Sequence, residues 1–309
     1  MRLLRRNDYG GYILQEFVGE TVPRYAILSH TWGPDHDEVT FADLGKDTDT
    51  YISKPGYKKL RFCEDQVAKN GLCYFWVDTC CIDKSSSAEL TEAINSMFAW
   101  YRDAARCYVY LSDVSAGTPI SGSSDRQEWY PAFQQSRWMA RGWTIQELLA
   151  PASVEFFSVE GQRLNNKYSL LQGLHSITGI SIEALQGSPL VGFSIEERLS
   201  WAQKRQTKRE EDMAYSLLGI FDVNIPLIYG EGRKKAFARL RREIDLSADG
   251  GPSDTPQSDI PKDQNEDSRK YNEPVFNRTI LGKYVVSGTH VTGGSTANFN
   301  FGEERYVRH

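Results

Sequence analysis

The stretch YAILSHTWG, residues 25–33, contains the first of four short apolar runs that decide the fold. Its apolar part, 25–29, is bounded by Pro23 and by Gly33-Pro34, which predicts a buried β-strand. Similar runs predict three more buried strands, at 72–77, 107–111 and 154–157. Helical patterns lie between these runs. This alternation predicts an α/β fold, with a parallel sheet flanked by helices on both faces.

The helical patterns differ before and after about residue 165. In the first part a helix is predicted at 54–69, and Ser86-Ser-Ala-Glu89 has the form of a capping box that begins another. From about 167 to 245 only helices are predicted, with capping-box patterns at 194–197 and 207–210. We therefore expect one domain over residues 1–245, with an α/β core at about 20–160 and a helical extension at about 165–245.

The composition of the chain argues against several classes of function. The 309 residues are 40% hydrophobic and carry a formal net charge of −5, so we expect a globular protein without the basic field of a nucleic-acid binder. The five cysteines show no CxxC spacing, which favours free thiols over a zinc site. No uninterrupted apolar run approaches the ~20 residues that span a membrane. The start has no signal-peptide pattern, and we expect a cytoplasmic protein without a stable membrane anchor.

The sequence contains five distinctive blocks: YAILSHTWG (25–33), YFWVDTCCIDK (74–84), AINSMFAWYRDAARCYVYLSDV (93–114), SRWMARGWTIQELLAP (136–151) and EDMAYSLLGIFDVNIPLIYGEG (211–232). In this order they resemble the HET domain of fungal heterokaryon incompatibility proteins, and the resemblance covers about residues 1–245. It implies a programmed cell-death effector of non-self recognition and innate immunity, which acts when two incompatible fungal cells fuse.

Two of these blocks are also similar to TIR domains. Tyr25–His30 resembles the opening strand of TIR domains, and Gly142–Leu148 resembles a segment whose glutamate is catalytic in the NAD-cleaving members. The sequence departs from that segment at Thr144, where plant-type domains have cysteine, and at Arg141-Gly142, where they have a serine or a small residue. The resemblance implies a TIR-like, flavodoxin-like sheet and a catalytic role for Glu147.

Glu147 has two interpretations. Thr144-Ile-Gln-Glu147 follows the S/T-x-x-E pattern, so Thr144 could be an N-cap and Glu147 its reciprocal partner. In the other interpretation the carboxylate lies at a cleft beside Trp143 and holds the nicotinamide-side ribose of NAD+. There it stabilises an oxocarbenium-like transition state as the N-glycosidic bond breaks. NAD+ is then a substrate, and neither a cofactor nor a metal is expected.

Further candidates follow the first two strands, since ligands bind at the carboxyl ends of strands in open α/β sheets. Trp32 is a candidate for stacking on a base or nicotinamide ring, and His30 for contact with a phosphate. The alternative is that both pack under the loop. Asp78 ends the second strand, and its alternative role is to cap amides of the next loop. We predict substrate binding by Ser29, His30, Trp32, Gly33, Asp78 and Trp143.

The end of the sequence bears on partners. Residues 246–274 are rich in Gly, Pro and charge, which predicts a disordered linker. Residues 275–309 are β-prone and low in charge between Tyr284 and Gly302, which suits strand stacking between chains. The layout resembles fungal death effectors with an amyloid-type signalling motif. It implies self-association and an upstream NLR-type sensor. The alternatives are a small docked hairpin or a disordered end.

Three function classes follow. The first is an NAD+-cleaving enzyme, a glycohydrolase activated by self-association. The second is a non-enzymatic TIR-like adaptor that kills by assembly with protein partners, in which Glu147 is only a cap. The third is a pore-forming effector, which the lack of an amphipathic N-terminal segment disfavours.

Overall fold

A seven-stranded mixed β-sheet lies at the centre of the computed structural model, which describes residues 1–19, 22–45, 49–117 and 128–249. Its spatial order is β2-β1-β4-β3-β5-β6-β7. The predicted α/β class is confirmed. The strands are β1 (Arg2–Arg6), β2 (Tyr12–Glu16), β3 (Tyr25–His30), β4 (Tyr74–Trp76), β5 (Arg106–Tyr110), β6 (Val154–Phe157) and β7 (Arg163–Asn166).

The four predicted strands form the parallel middle of the sheet. Strand β3 pairs in parallel with β4 on one side and with β5 on the other, and β5 pairs in parallel with β6. All six residues of β3 are buried, as expected for a central strand whose two faces are both covered. The carboxyl ends of β3 and β4 therefore meet at one edge of the sheet, next to His30 and Asp78.

Antiparallel strands at both sides of the sheet correct the prediction of a wholly parallel one. Strands β1 and β2 form a hairpin whose β1 pairs with β4, and β7 pairs antiparallel with β6. A short turn can join antiparallel neighbours. In the hairpin, Asn7 N–H donates to the Gly11 carbonyl, and Gly10 has a φ of 89°, which glycine adopts without steric cost. The sheet thus extends on either side of the core predicted at 20–160.

Helices pack against the sheet and form the C-terminal extension. Helix α2 contacts β3 and β4, whereas α3 contacts α6 and α11. Short 3-10 helices occupy Asp49–Ser53, Tyr168–Leu170 and Leu190–Gly192. The α-helices are α1 (Phe41–Leu44), α2 (Tyr57–Lys69), α3 (Ser87–Asp103), α4 (Tyr130–Gln134), α5 (Arg137–Ala140), α6 (Thr144–Leu149), α7 (Leu171–Thr178), α8 (Ile182–Leu185), α9 (Ile195–Ser200), α10 (Asp212–Tyr215), α11 (Leu218–Phe221) and α12 (Arg233–Asp249).

Two predicted helix starts are confirmed and one is wrong. Ser86 and Ser194 are N-caps whose hydroxyls accept from the backbone N–H three residues later. The pattern at Thr207 begins no helix, because its hydroxyl donates to the Arg209 carbonyl and α10 starts only at Asp212.

The C-terminal region is described only to the end of α12. That helix reaches Asp249, four residues beyond the predicted domain end at 245. The rest of the predicted linker and the whole β-prone tail, residues 250–309, lie outside the described residues. Within the described ranges, no helix has the length and apolar character needed to cross a membrane.

Candidate functional site

A cavity of about 850 Å³ opens where β3 and β4 end. Its size falls within the range of small-molecule sites, roughly 300–1,000 Å³. The predicted residues Ser29 and His30 do not line it, with 0% and 4% of their surface exposed, and substrate binding by them stays a prediction. The other predicted site residues line the cavity: Trp32, Gly33, Asp78, Trp143 and Glu147.

Glu147 lies in α6 with 7% of its surface exposed. Its Oε2 accepts a hydrogen bond from the Ser29 hydroxyl, and Ser29 Oγ accepts in turn from Trp138 Nε1 at 2.7 Å. Ser29 belongs to β3, so this chain of bonds fixes the carboxyl group to the central strand of the sheet. Ser29 thus serves the cavity by holding Glu147 in place.

The interpretation of Glu147 as a helix cap is wrong. Helix α6 has Trp143 at its N-cap position, and no side chain caps it. Thr144 lies inside the helix and is fully buried; its hydroxyl donates to the carbonyls of Trp138 and Arg141, each at 2.8 Å. The S/T-x-x-E pattern therefore does not mark a capping box at the start of this helix.

Burial raises the pKa of Glu147 to about 7. The Ser29 hydrogen bond and the charges of Arg141 and Arg205 oppose this rise, whereas nearby Asp78 adds to it. A carboxyl group with this pKa exchanges its proton near neutral pH, as is common for groups in active sites.

Asp78 is held by two side chains that come from the loop after β3. One carboxylate oxygen pairs with His30 Nε2 at 2.9 Å, and the other accepts from Trp32 Nε1 at 2.8 Å. Burial alone would raise the pKa of Asp78, but Lys84, the His30 hydrogen bond and Arg141 together bring it below its usual range. Within the described chain its partners are side chains, so the alternative role as a cap of loop amides is wrong.

A buried network that the sequence did not reveal lies behind Asp78. Lys59 Nζ is 3.0 Å from His30 Nδ1 and forms an ion pair with Glu38. Burial and the Lys59 charge lower the pKa of His30, so the neutral ring accepts from Lys59 and donates to Asp78. Both ring nitrogens are thus engaged within the protein, and the phosphate contact of His30 stays a prediction. Lys59 comes from α2 and Glu38 from the loop before α1, so only folding brings the network together.

Trp32 already has cationic partners on its ring. Lys84 Nζ lies 3.7 Å from the ring centroid and the Arg141 guanidinium carbon 5.3 Å. These are cation–π distances. A base or nicotinamide ring that stacks on Trp32 would compete with these cations for the face that they cover.

The helical extension supplies part of the cavity wall. Asp212 accepts a hydrogen bond from Tyr229 Oη at 3.0 Å and also bonds Trp143 of the core. Arg209 lies over the Tyr229 ring at 4.1 Å. Sequence reasoning missed these residues because they fall beyond the predicted α/β core. The available signal was the block at 211–232, which contains both Asp212 and Tyr229.

Gly142 allows the extension to approach α6. Its N–H donates to the Gln206 carbonyl at 2.8 Å, and a Cβ at this position would lie 2.5 Å from Thr207 Cγ2. Arg205 from the same segment bonds the Arg141 carbonyl at 2.9 Å and Thr144 Oγ1 at 2.7 Å. These contacts fix the segment before α6 and thereby the position of Glu147.

The cavity combines a carboxyl group that titrates near neutrality, a second ionised carboxylate, cations and aromatic rings. That set can bind a polar organic molecule and stabilise positive charge that develops on it. Within the described chain, no group of three or more His, Cys, Asp or Glu side chains is placed to hold a metal ion.

The comparisons with known proteins agree on one family. The family model for heterokaryon incompatibility protein (HET) matches residues 25–128. The vegetative incompatibility protein HET-E-1 of Podospora anserina is 57% identical over 245 residues, which cover 79% of this chain and 18% of that protein. The chain thus spans under a fifth of the length of this relative. No solved structure matches the chain.

Proposed function

The chain contains a domain of the heterokaryon incompatibility family, and from this premise we propose that it is a cell-death effector that cleaves the N-glycosidic bond of NAD+. HET-E-1 is by its name a protein of vegetative incompatibility. The observation that supports the chemistry is Glu147, a buried carboxyl group that lies at a cavity where the parallel strands end and is held by Ser29.

The strand order supports a TIR-like core as part of this proposal. Along the chain the parallel strands are β3, β4, β5 and β6, and in space they lie as β4-β3-β5-β6. This is the order 2-1-3-4, the beginning of the doubly wound flavodoxin-like order. In such sheets ligands bind outside the carboxyl ends of the strands, which is where Trp32 and Asp78 lie.

The proposed reaction consumes NAD+ and water and yields nicotinamide, ADP-ribose and a proton. The bond between ribose C1′ and the nicotinamide nitrogen breaks, and its electron pair leaves with nicotinamide. Positive charge then develops on the ribose, and the ionised Glu147 carboxylate stabilises it. Water adds to C1′ and loses its proton. Asp78, whose pKa is below its usual range, contributes a second negative charge to the same cavity.

Induced expression of the chain tests this proposal. We expect cellular NAD+ to fall before viability does, and a Glu147→Gln variant expressed at the same level to spare both. Death without NAD+ loss would reject the enzyme and favour the non-enzymatic adaptor. NAD+ loss that persists in the Glu147→Gln variant would remove the role of this residue.

Self-association through the C-terminal tail is a second part of the proposal, and it rests on the composition of residues 275–309. We expect the full chain to form thioflavin-positive assemblies and a chain ending at residue 249 to stay unassembled. Equal assembly of both would show that the tail has no such role.

A further inference from the structure

Three cationic side chains at the cavity act on its carboxylates only from beyond salt-bridge distance. Lys84, Arg141 and Arg209 all line it, and none forms a salt bridge with a carboxylate of the described chain. A fourth cation, Lys208, differs because both of its contacts go to Asp35, at 2.6 and 2.8 Å. These three cations therefore keep N–H donors that a ligand can use, although carboxylates line the same cavity.

The acidic side chains of the same wall are already engaged. Asp78 is bound by His30 and Trp32. Glu147 is bound by Ser29, and Asp212 by Tyr229. A phosphate group would thus meet cations without a salt-bridge partner in the described chain, whereas the carboxylates of the wall already accept hydrogen bonds from the protein.

Aromatic rings hold these cations in position. Lys84 and Arg141 lie at Trp32, and Arg209 lies 4.1 Å from the Tyr229 ring centroid. Such contacts restrain long side chains that would otherwise lose rotamer freedom when a ligand binds. Arginine also presents paired N–H donors that match the oxygens of a phosphate group.

Part of the cavity lining is apolar. It is formed by side chains of α1 and α3, and the flat ring of a nucleobase would bury apolar surface there. One molecule that matches both kinds of lining residue is a nucleotide, with its base against the apolar residues and its phosphates among the cations. The apolar residues are Phe41, Leu90, Ile94 and Met97.

We propose that Lys84, Arg141 and Arg209 form a subsite for the diphosphate of a nucleotide. This inference rests on the proposed function and deepens it, because it assigns the part of the substrate that does not react. Two of these cations come from the α/β core and Arg209 comes from the extension. The extension therefore completes the binding site as well as packing against the core.

Calorimetric titration of the full-length Glu147→Gln protein tests the subsite without turnover. The probes are ADP-ribose, ADP and adenosine. We expect ADP-ribose and ADP to bind at least about tenfold more tightly than adenosine, since charge-assisted hydrogen bonds to phosphate contribute this much or more. Adenosine binding as tightly as ADP, or no binding of any probe, would overturn the proposal.

Charge-removing variants in the same background locate the subsite. Arg209→Gln and Lys84→Met change exposed residues, and each should weaken ADP-ribose about tenfold while leaving adenosine within about twofold. Lys235→Met, on the exposed face of α12, is the matched control that should change neither affinity. Arg141→Lys keeps the charge of the half-buried position and should lose less than Arg141→Gln. Unchanged ADP-ribose affinity in Arg209→Gln and Lys84→Met would overturn the proposal.

The two proposals fail in different ways. If the protein binds ADP-ribose through these cations but does not cleave NAD+, the subsite stands and the proposed reaction falls. If NAD+ is cleaved and KM is unchanged in Arg209→Gln and Lys84→Met, the reaction stands and the subsite falls.

Discussion

The amino ends of α3 and α6 share one sequence pattern and use it in opposite ways. At α3, Ser86 lies outside the helix and accepts from the Glu89 N–H at 3.3 Å, while the Glu89 carboxylate bonds Arg2. At α6, Thr144 is already helical, and the Glu147 carboxyl group bonds Ser29 in the core. The same four-residue pattern is therefore a cap in one helix and part of a buried site in the other.

Burial explains the difference. Every residue of α6 is buried, whereas the first turn of α3 is exposed or half-buried. A hydroxyl at a partly exposed helix start can turn back and accept from the helix amides. The buried Thr144 hydroxyl instead forms hydrogen bonds with the groups that pack around it. The apolar residues next to Glu147 in the sequence were thus more informative than the spacing of Thr144 and Glu147.

The largest expected contrast is in catalysis. Glu147→Gln keeps the shape of the side chain and removes its charge, so we expect NAD+ cleavage by the purified chain to fall by at least roughly a hundredfold. Glu89→Gln makes the same chemical change at the other helix and should leave the rate within about twofold. Nicotinamide release measures both. Equal losses of the rate in the two variants would contradict the different roles of Glu147 and Glu89.

The next contrast is in stability against pH. The pKa of Glu147 is raised from 4.5 to about 7 by folding, so its charged form is disfavoured in the folded state. Below pH 4.5 the Glu147 side chain does not change the free energy of unfolding with pH. As the pH rises from 4.5 towards 7, that free energy falls by about 3 kcal/mol in all. Urea unfolding at pH 5 and pH 8 should show this decline in the wild type and in Glu89→Gln.

Glu147→Gln has no such proton to lose, and it should lack that part of the decline. A decline of the same size in Glu147→Gln would show that Glu147 does not titrate near neutrality.

The hydroxyl residues offer a smaller contrast. Thr144→Val preserves shape but leaves Arg205 without one buried acceptor, which should lower the free energy of unfolding by about 2 kcal/mol. If Thr144→Val lowers the free energy of unfolding by less than the loss of an ordinary helix cap does, the Thr144 hydroxyl is not needed in the core. Thermal and urea unfolding provide the measurement.

The smallest effect is expected at the true cap. Ser86→Ala removes the acceptor for the Glu89 N–H at the exposed end of α3, and it should cost about 1 kcal/mol. Ser86→Asn, which also caps helices, should retain the stability of the wild type. Failure of asparagine to restore stability would argue against capping at this position.

The β-sheet shows how much of the fold could be predicted from the sequence. Hydrophobic runs predicted the four parallel strands, and strand ends pointed to Asp78 and the loop with Trp32. The antiparallel strands were missed, and in β1 adjacent buried leucines, Leu3 and Leu4, stand in place of an alternating pattern.

The site was only partly predictable, because its remaining residues meet through folding. Ser29 and Glu147 are 118 positions apart, and the partners of His30 lie in α2 and after β4. No local pattern links them. The sequence departs from the TIR-like segment at Gly142, and the structure explains this glycine by the close approach of Thr207.

The pH dependence of NAD+ cleavage tests most directly whether Glu147 is a working carboxylate. Since the ionised form stabilises the developing positive charge, we predict that kcat/KM rises with pH and levels off above about 7, the pKa to which burial raises this group. A kcat/KM that is flat between pH 5.5 and 8.5, or that falls as pH rises through 7, would contradict the account.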